Sequence, residues 1–272
     1  MSHSTSVRLR DVIRVMRLVA ETVELGHDAY AWRQHFGSGL LKLIDNGGMV
    51  LACVMRRPLD PTDANFPLML WIGADAAQIS QWNRFLQTGD ITPDPNTPAL
   101  TALGARNFVR RREQLCTDRQ WYGSAYFNEF RRPLGMEDIL YSQVMAPDGQ
   151  YSEGFGFGRA LKSRPFDARH SAIVRLAHME LARIRKRGAR ALSHLGPRQQ
   201  AVLGLLCEGY IEKEAAAKLS LSQATVHNYI SMLHRKLDVH SRGELVRAGL
   251  NLLRRQGPKI LPTNGAARQL GA

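Results

Sequence analysis

Leu195-Gly-Pro-Arg-Gln-Gln-Ala-Val-Leu203-Gly-Leu-Leu206, then Lys213-Glu-Ala-Ala-Ala-Lys-Leu219, then Leu221-Ser-Gln-Ala-Thr225-Val-His-Asn-Tyr-Ile230-Ser-Met-Leu-His-Arg-Lys-Leu237 and Val239-His-Ser-Arg242-Gly-Glu-Leu-Val246 succeed one another with short breaks. Each run has apolar residues at helical spacing, and the breaks fall at Gly or Ser. Pro197 suits a first helical turn, where its missing N–H costs nothing. Gly209 ends that helix, and the short Ala-rich helix after it permits close packing. Ser222 is a natural N-cap for the third helix. There Val226, Ile230, Leu233 and Leu237 fall at i, i+4, i+7 and i+11, one narrow stripe for the core.

The opposite side of that third helix carries Asn228, Ser231 and Arg235, flanked by His227. Asn can bond adenine bidentately, and His and Ser offer donors and acceptors to base edges. His227, Asn228 and Ser231 are therefore the expected base contacts. Lys213, Thr225, Arg235 and Lys236 are the expected phosphate contacts. The geometry is that of a helix-turn-helix whose recognition helix enters the major groove of double-stranded DNA.

The charge balance agrees with a phosphate-binding C-terminal third. Net charge is +13, yet residues 1–180 hold 21 basic and 19 acidic residues. Residues 181–190 alone add five basic groups and no acid. A basic excess placed there suits nucleic acid, although a charge run also serves as a solvated linker. The three cysteines are far apart, and the nine histidines form no cluster with metal-ligand spacing. Reduced thiols and no metal or cofactor are expected. No run is long and apolar enough to span a membrane and the N-terminus lacks a signal-peptide plan, so a cytoplasmic location is expected.

The pattern L-x-P-R-x-x-x-V-L-x-L-L-x-E-G, then K-E-x-A-x-x-L-x-L-S-x-x-T-V, then K-L-x-V-x-S-R-x-E-L-V resembles the LuxR-type (GerE-like) DNA-binding domain. The resemblance implies a C-terminal four-helix bundle over residues 195–253 that binds DNA as a homodimer. It implies pairing through the last helix, Arg242 to Leu253, with Leu245, Val246 and Leu250 as dimer contacts. The family's base-reading positions fall on His227, Asn228 and Ser231. Departures stand at Gly196, Gln199, Ala201, Ile211-Glu212 and His227, where the family usually has Ser or Thr, Glu, Glu, Ser-Asn and often Lys. The missing Lys and the added Glu212 weaken phosphate attraction.

Upstream, the spacing predicts helices over Val7–Leu25, Asp28–Ile44 and Asp75–Thr88. It predicts strands over Met49–Met55, Phe66–Ile72, Glu137–Met145 and Tyr151–Leu161, with a turn at Pro147-Asp148-Gly149. A long helix follows from Asp167. The order points to an α+β domain with a mainly antiparallel sheet. With the segment Trp121 to Gly135, it is similar to the GAF/PAS-like sensory domains found ahead of LuxR-type modules. The spaced Trp, Tyr and Asp pattern of an acyl-homoserine-lactone-binding domain is not visible. The expected layout is a sensory or dimerisation domain over 1–185, a basic linker over 186–194, the DNA-binding domain, and a disordered tail over 254–272.

Gly154-Phe-Gly-Phe-Gly158 lacks the Lys-Ser/Thr of a phosphate loop and reads as strand. The aromatics Trp121, Tyr122, Tyr126, Phe127 and Phe130 read as core rather than ligand pocket. Arg110-Arg-Arg112 and Arg131-Arg132 read as solvated surface. No Ser or Cys pairs with a His and an acid in a catalytic motif, so an enzyme is not expected. The expected function is a transcriptional regulator whose N-terminal domain receives an unknown small-molecule or protein signal, with RNA polymerase a further candidate partner. The alternatives are a sigma-factor-like protein, a protein-binding regulator that has lost DNA contact, and an N-terminal enzyme carrying a regulatory helix-turn-helix.

Overall fold

A computed structural model describes residues 7–25, 28–44, 48–56, 68–87, 94–146 and 149–256. They divide into two units, one built on residues 7–22 and 28–182, the other on 23–25 and 183–256. The first unit holds α1 (Leu9–Glu24), α2 (Ala31–Ile44), β1 (Met49–Arg56), β2 (Leu68–Ile72), α3 (Ala76–Gln87) and α4 (Thr97–Leu103). Then come β3 (Phe108–Arg111), α5 (Asp118–Tyr122), a π-helical turn over Tyr126–Arg131, β4 (Met136–Met145) and β5 (Tyr151–Ala160). A long α6 (Ala168–Ser193) begins in this unit and finishes in the second.

The five strands form one sheet in the order β2-β1-β5-β4-β3, with every pair antiparallel. Val50 pairs with Phe157 and Ala52 with Phe155, which fixes the two faces. Phe155 packs at 5.5 Å against Phe36 of α2 and at 5.1 Å against His178 of α6, ring centre to ring centre. On the other face lie Gly154, Gly156 and Gly158. A Cβ at Gly158 would meet Met136 Cε at 1.6 Å, and one at Gly154 would meet Met55 Cε at 2.8 Å. The Gly-Phe alternation is therefore a strand that packs rings on one face and admits large neighbours on the other. Those neighbours are an aromatic cluster: Trp121, Tyr126, Phe127 and Phe130 are buried with Met49, Met136 and Ile139.

Local chemistry starts the helices where the sequence says. Asp28 Oδ1 accepts from the backbone N–H groups of Tyr30 (2.8 Å) and Ala31 (2.9 Å), which holds its carboxyl below the usual range. Asp75 Oδ1 accepts from Gln78 N–H at 2.8 Å and Asp167 Oδ1 from His170 N–H at 3.0 Å, which starts α3 and α6.

Several expectations need correction. The edge strand β3 is not among the expected strands, because its Arg-rich tail breaks the alternation of apolar residues. Arg112 and Arg131 are buried, not solvated. Arg112 reaches Asp118 Oδ1 at 2.7 Å and Asp138 Oδ1 at 3.5 Å, and lies over the rings of Trp121 and Tyr122. A buried cation is tolerable when paired in this way. The stretch expected as a linker, 186–194, is helical as far as Ser193. The tail beyond residue 256 and most of the Pro147-Asp148-Gly149 turn lie outside the described residues; Gly149 itself has φ +71°.

Candidate nucleic-acid interface

The second unit contains α7 (Pro197–Cys207), α8 (Glu212–Leu219), α9 (Gln223–Leu237) and α10 (Arg242–Gln256). They enclose one core of Val202, Leu203, Leu206, Ala215, Ala216, Val226, Ile230, Leu233 and Leu245. The starts of α7, α8 and α10 are each secured by a side chain from the first turn that reaches back. Gln199 Oε1 accepts from Gly196 N–H at 3.0 Å, and Glu214 Oε2 accepts from Ile211 N–H at 3.0 Å. Glu244 Oε2 accepts from the N–H groups of His240 (2.8 Å) and Ser241 (3.3 Å), which lowers the Glu244 pKa. α10 sits close against α7, because a Cβ at Gly249 would lie 2.6 Å from Cys207 Sγ and 2.8 Å from Leu203 Cδ1.

α8 and α9 are joined by Ser220-Leu221-Ser222. Ser220 takes a left-handed conformation (φ 52°) that closes α8. Ser222, extended at φ −72° and ψ 151°, accepts from Thr225 N–H at 3.1 Å and starts α9. Val226 and Leu233 are fully buried and Ile230 nearly so, which fixes the roll of α9 about its axis. His227, Asn228 and Ser231 consequently project outward, and all three are exposed.

The remaining expected positions divide. Lys213 and Arg235 are exposed. Thr225 is half-buried, its hydroxyl 2.8 Å from Ser222 Oγ in the cap. Lys236 is committed within the unit: its Nζ donates to His194 O at 3.0 Å and to Gln199 Oε1 at 2.9 Å. It fastens the end of α9 to the start of α7, a role the sequence pattern did not disclose. Leu245, expected as a dimer contact, is fully buried in the unit's own core, so it is not available to a partner. Val246 and Leu250 are half-buried.

Two neighbours of α9 matter for binding. Glu212 at the start of α8 places Oε2 3.3 Å from His227 Nδ1, an acid beside an expected base contact. Arg242 donates to Tyr210 O at 2.9 Å, tying α10 to the turn before α8.

Sequence reasoning missed a second set of polar residues, on the glycine face of the sheet in the first unit. Tyr141 donates to Asp94 Oδ2 at 3.0 Å, and Asn96 donates to Asp94 Oδ1 through its N–H (2.9 Å) and Nδ2 (2.8 Å). Desolvation by the surrounding protein pushes the Asp94 carboxyl above its usual range, and Tyr126 and Arg131 lie within its electrostatic reach. Arg131 Nε and Nη2 and Trp71 Nε1 are buried without a hydrogen-bond partner. A Cβ at Gly156 would meet Ile139 Cδ1 at 3.9 Å, an ordinary contact. The π-helical turn that carries Tyr126 and Arg131 is a rare form that recurs at functional sites. No sequence signal joins these positions, because they come from five separate stretches of the chain.

Residues 193–248 match the family described as bacterial regulatory proteins, luxR family. The C-terminal segment is a luxR-family helix-turn-helix domain. Over 54 residues the chain is 46% identical to the response regulator Rre1 of Synechocystis sp., covering 20% of this chain and 23% of that protein. Over 52 residues it is 44% identical to the transcriptional regulatory protein DesR of Bacillus subtilis, covering 19% and 26%. The chain thus spans about a quarter of the length of the curated relatives it matches. Among solved structures it is similar to SdiA in complex with octanoyl-rac-glycerol, at 16% identity, TM-score 0.39 and coverage of 90% of this chain and 96% of that one. Escherichia coli SdiA in the space group P6522 gives 18% identity, TM-score 0.38 and coverage of 87% and 95%. Among the described residues no helix is long and apolar enough to cross a membrane, and no group of three or more His, Cys, Asp or Glu could hold a metal ion.

Proposed function

We propose that this chain is a DNA-binding transcriptional regulator of the luxR type that lays α9 in the major groove. The observation that carries this reading is the roll of α9: buried Val226, Ile230 and Leu233 turn His227, Asn228 and Ser231 to solvent. Asn228 is the adenine reader, His227 and Ser231 contact neighbouring base edges, and Lys213 and Arg235 hold phosphates. Thr225 supports the helix start close to the phosphate backbone. Two copies bind a two-fold operator in the cytoplasm, pairing on DNA through the outer side of α10 around Val246 and Leu250. RNA polymerase is the downstream partner. DNase footprinting of the full chain on genomic fragments tests this. Protected half-sites about one helical turn apart are expected; absence of protection even at low salt contradicts it.

The N-terminal unit, 1–185 in this reading, is a GAF/PAS-like sensory domain rather than an enzyme. What favours sensing is the polar set on the glycine face: an enclosed carboxylate at Asp94, and Arg131 Nε and Nη2 and Trp71 Nε1 buried without a hydrogen-bond partner. Unpaired buried polar groups are costly and ask for a partner. A small molecule offering a donor to Asp94 and an acceptor to Arg131 or Trp71 would supply one, and its binding would alter the packing that α6 leads away from.

A further inference from the structure

We propose that the end of α6 is a second DNA contact, a stripe of cations laid along the phosphate backbone of the duplex that α9 reads. This rests on the reading of the chain as a DNA-binding regulator and adds a surface to it. Residues 183–193 of α6 belong to the C-terminal unit. Arg183, Lys186, Arg187 and Arg190 stand there at i, i+3, i+4 and i+7, on one side of the helix, and all four are exposed. Arg185, Gly188 and Leu192 occupy the opposite side and are buried. No acidic residue stands between Glu180 and Glu208. Lys186, Arg187 and Arg190 form no ion pair among the described residues. Like charges three and four apart on a helix repel, a cost that an anionic partner removes.

The end of this helix is fixed to the binding module. Leu192 and Leu195 enter the same core as Val226 and Leu233 of α9. Gln200 Nε2 donates to Leu192 O and to Leu195 O, both at 2.9 Å, and Lys236 at the end of α9 donates to His194 O. The stripe is about 10 Å long at 1.5 Å per residue, a length over which one DNA strand presents about three phosphates. The module is short of cations for that backbone. Lys236 is committed within the unit and Glu212 stands beside His227, so Lys213 and Arg235 are the exposed cations left of those expected. An anionic membrane would attract the same charges. A helix lying in a membrane surface must bury an apolar face, however, and α6 exposes no large apolar residue.

Salt titration of DNA binding by the full chain tests this, on a fragment carrying the footprinted site and on a random fragment of equal length. Lys186→Ala/Arg187→Ala/Arg190→Ala suits a helix, since Ala is the best helix former, and circular dichroism checks that the fold is kept. It should reduce the slope of log K against log salt by about 2–3. Binding to both fragments should weaken by about tenfold or more at physiological salt, with the preferred sequence unchanged. Arg187→Gln alone should reduce the slope by about 1. Arg10→Ala/Arg14→Ala/Arg17→Ala removes the same charge from exposed positions of α1 and should leave the slope near its wild-type value. An unaltered slope for the α6 variants, an equal drop for the α1 variant, or a loss confined to the preferred site overturns the proposal. So does flotation of the wild type with phosphatidylserine vesicles that the triple α6 variant loses while its DNA affinity stays. A wild type that binds neither fragment overturns the reading of α9 as well. A wild type that binds both, beside α6 variants that match it, overturns this proposal alone.

Discussion

Within each of the two units the interactions that hold the fold differ in range. In the C-terminal unit, helix starts are fixed by residues three apart: Gly196 with Gln199, Ile211 with Glu214, Ser222 with Thr225, Ser241 with Glu244. In the N-terminal unit, the decisive contacts join distant parts of the chain. Asp11 takes a paired hydrogen bond from Arg169, Tyr141 reaches back to Asp94, and Arg33 forms a buried ion pair with Glu153. A binding module built from local contacts can be read in isolation. A domain built from remote contacts shows its polar interior only when folded.

That contrast predicts where substitutions act, and hydrogen exchange can read each unit separately. Trp121→Ala removes a fully buried ring that donates to Glu137 O at 3.0 Å. It should cost about 3–5 kcal/mol, seen as collapsed protection in β4 and β5. Retained protection there would break the long-range half of the comparison. A Cβ branch at Gly249 would push against Leu203 and Cys207. Gly249→Val should therefore cost about 1–3 kcal/mol, measured as faster exchange in α7 and α10. Ser222→Ala removes one cap and should cost about 1 kcal/mol, confined to the first turns of α9.

The smallest effect concerns pH. Asp94 has a folded-state pKa raised by desolvation, so its contribution to stability is full below the carboxylate's unfolded pKa and is lost as pH rises through the folded value. Asp94→Asn should flatten that decline in the N-terminal unit as pH rises above the ordinary carboxylate range. An unchanged slope of protection against pH would show that Asp94 is solvated in solution.

The sequence was most legible where periodicity and capping act over one or two turns. The roll of α9 follows from Val226, Ile230 and Leu233, and the strands β1, β4 and β5 follow from their apolar runs and flanking turns. The antiparallel sheet was legible as a class, but its order was not, since β1 beside β5 depends on pairing across about a hundred residues. β3 was lost because Arg110 and Arg111 break its apolar pattern, and Arg112 because a buried cation looks in sequence like a solvated one. Lys236 and Leu245 show the same limit within the binding module. A helical wheel gives the face a residue occupies, not which neighbouring helix has already claimed it.

The most direct test selects preferred DNA sequences from a random pool with the full chain and with Asn228→Ala/Ser231→Ala. The account predicts a defined two-fold site for the wild type, and for the variant a folded protein that keeps salt-dependent binding but loses sequence preference. Recovery of the same site by both proteins would contradict the assignment of α9 as the helix that reads the bases.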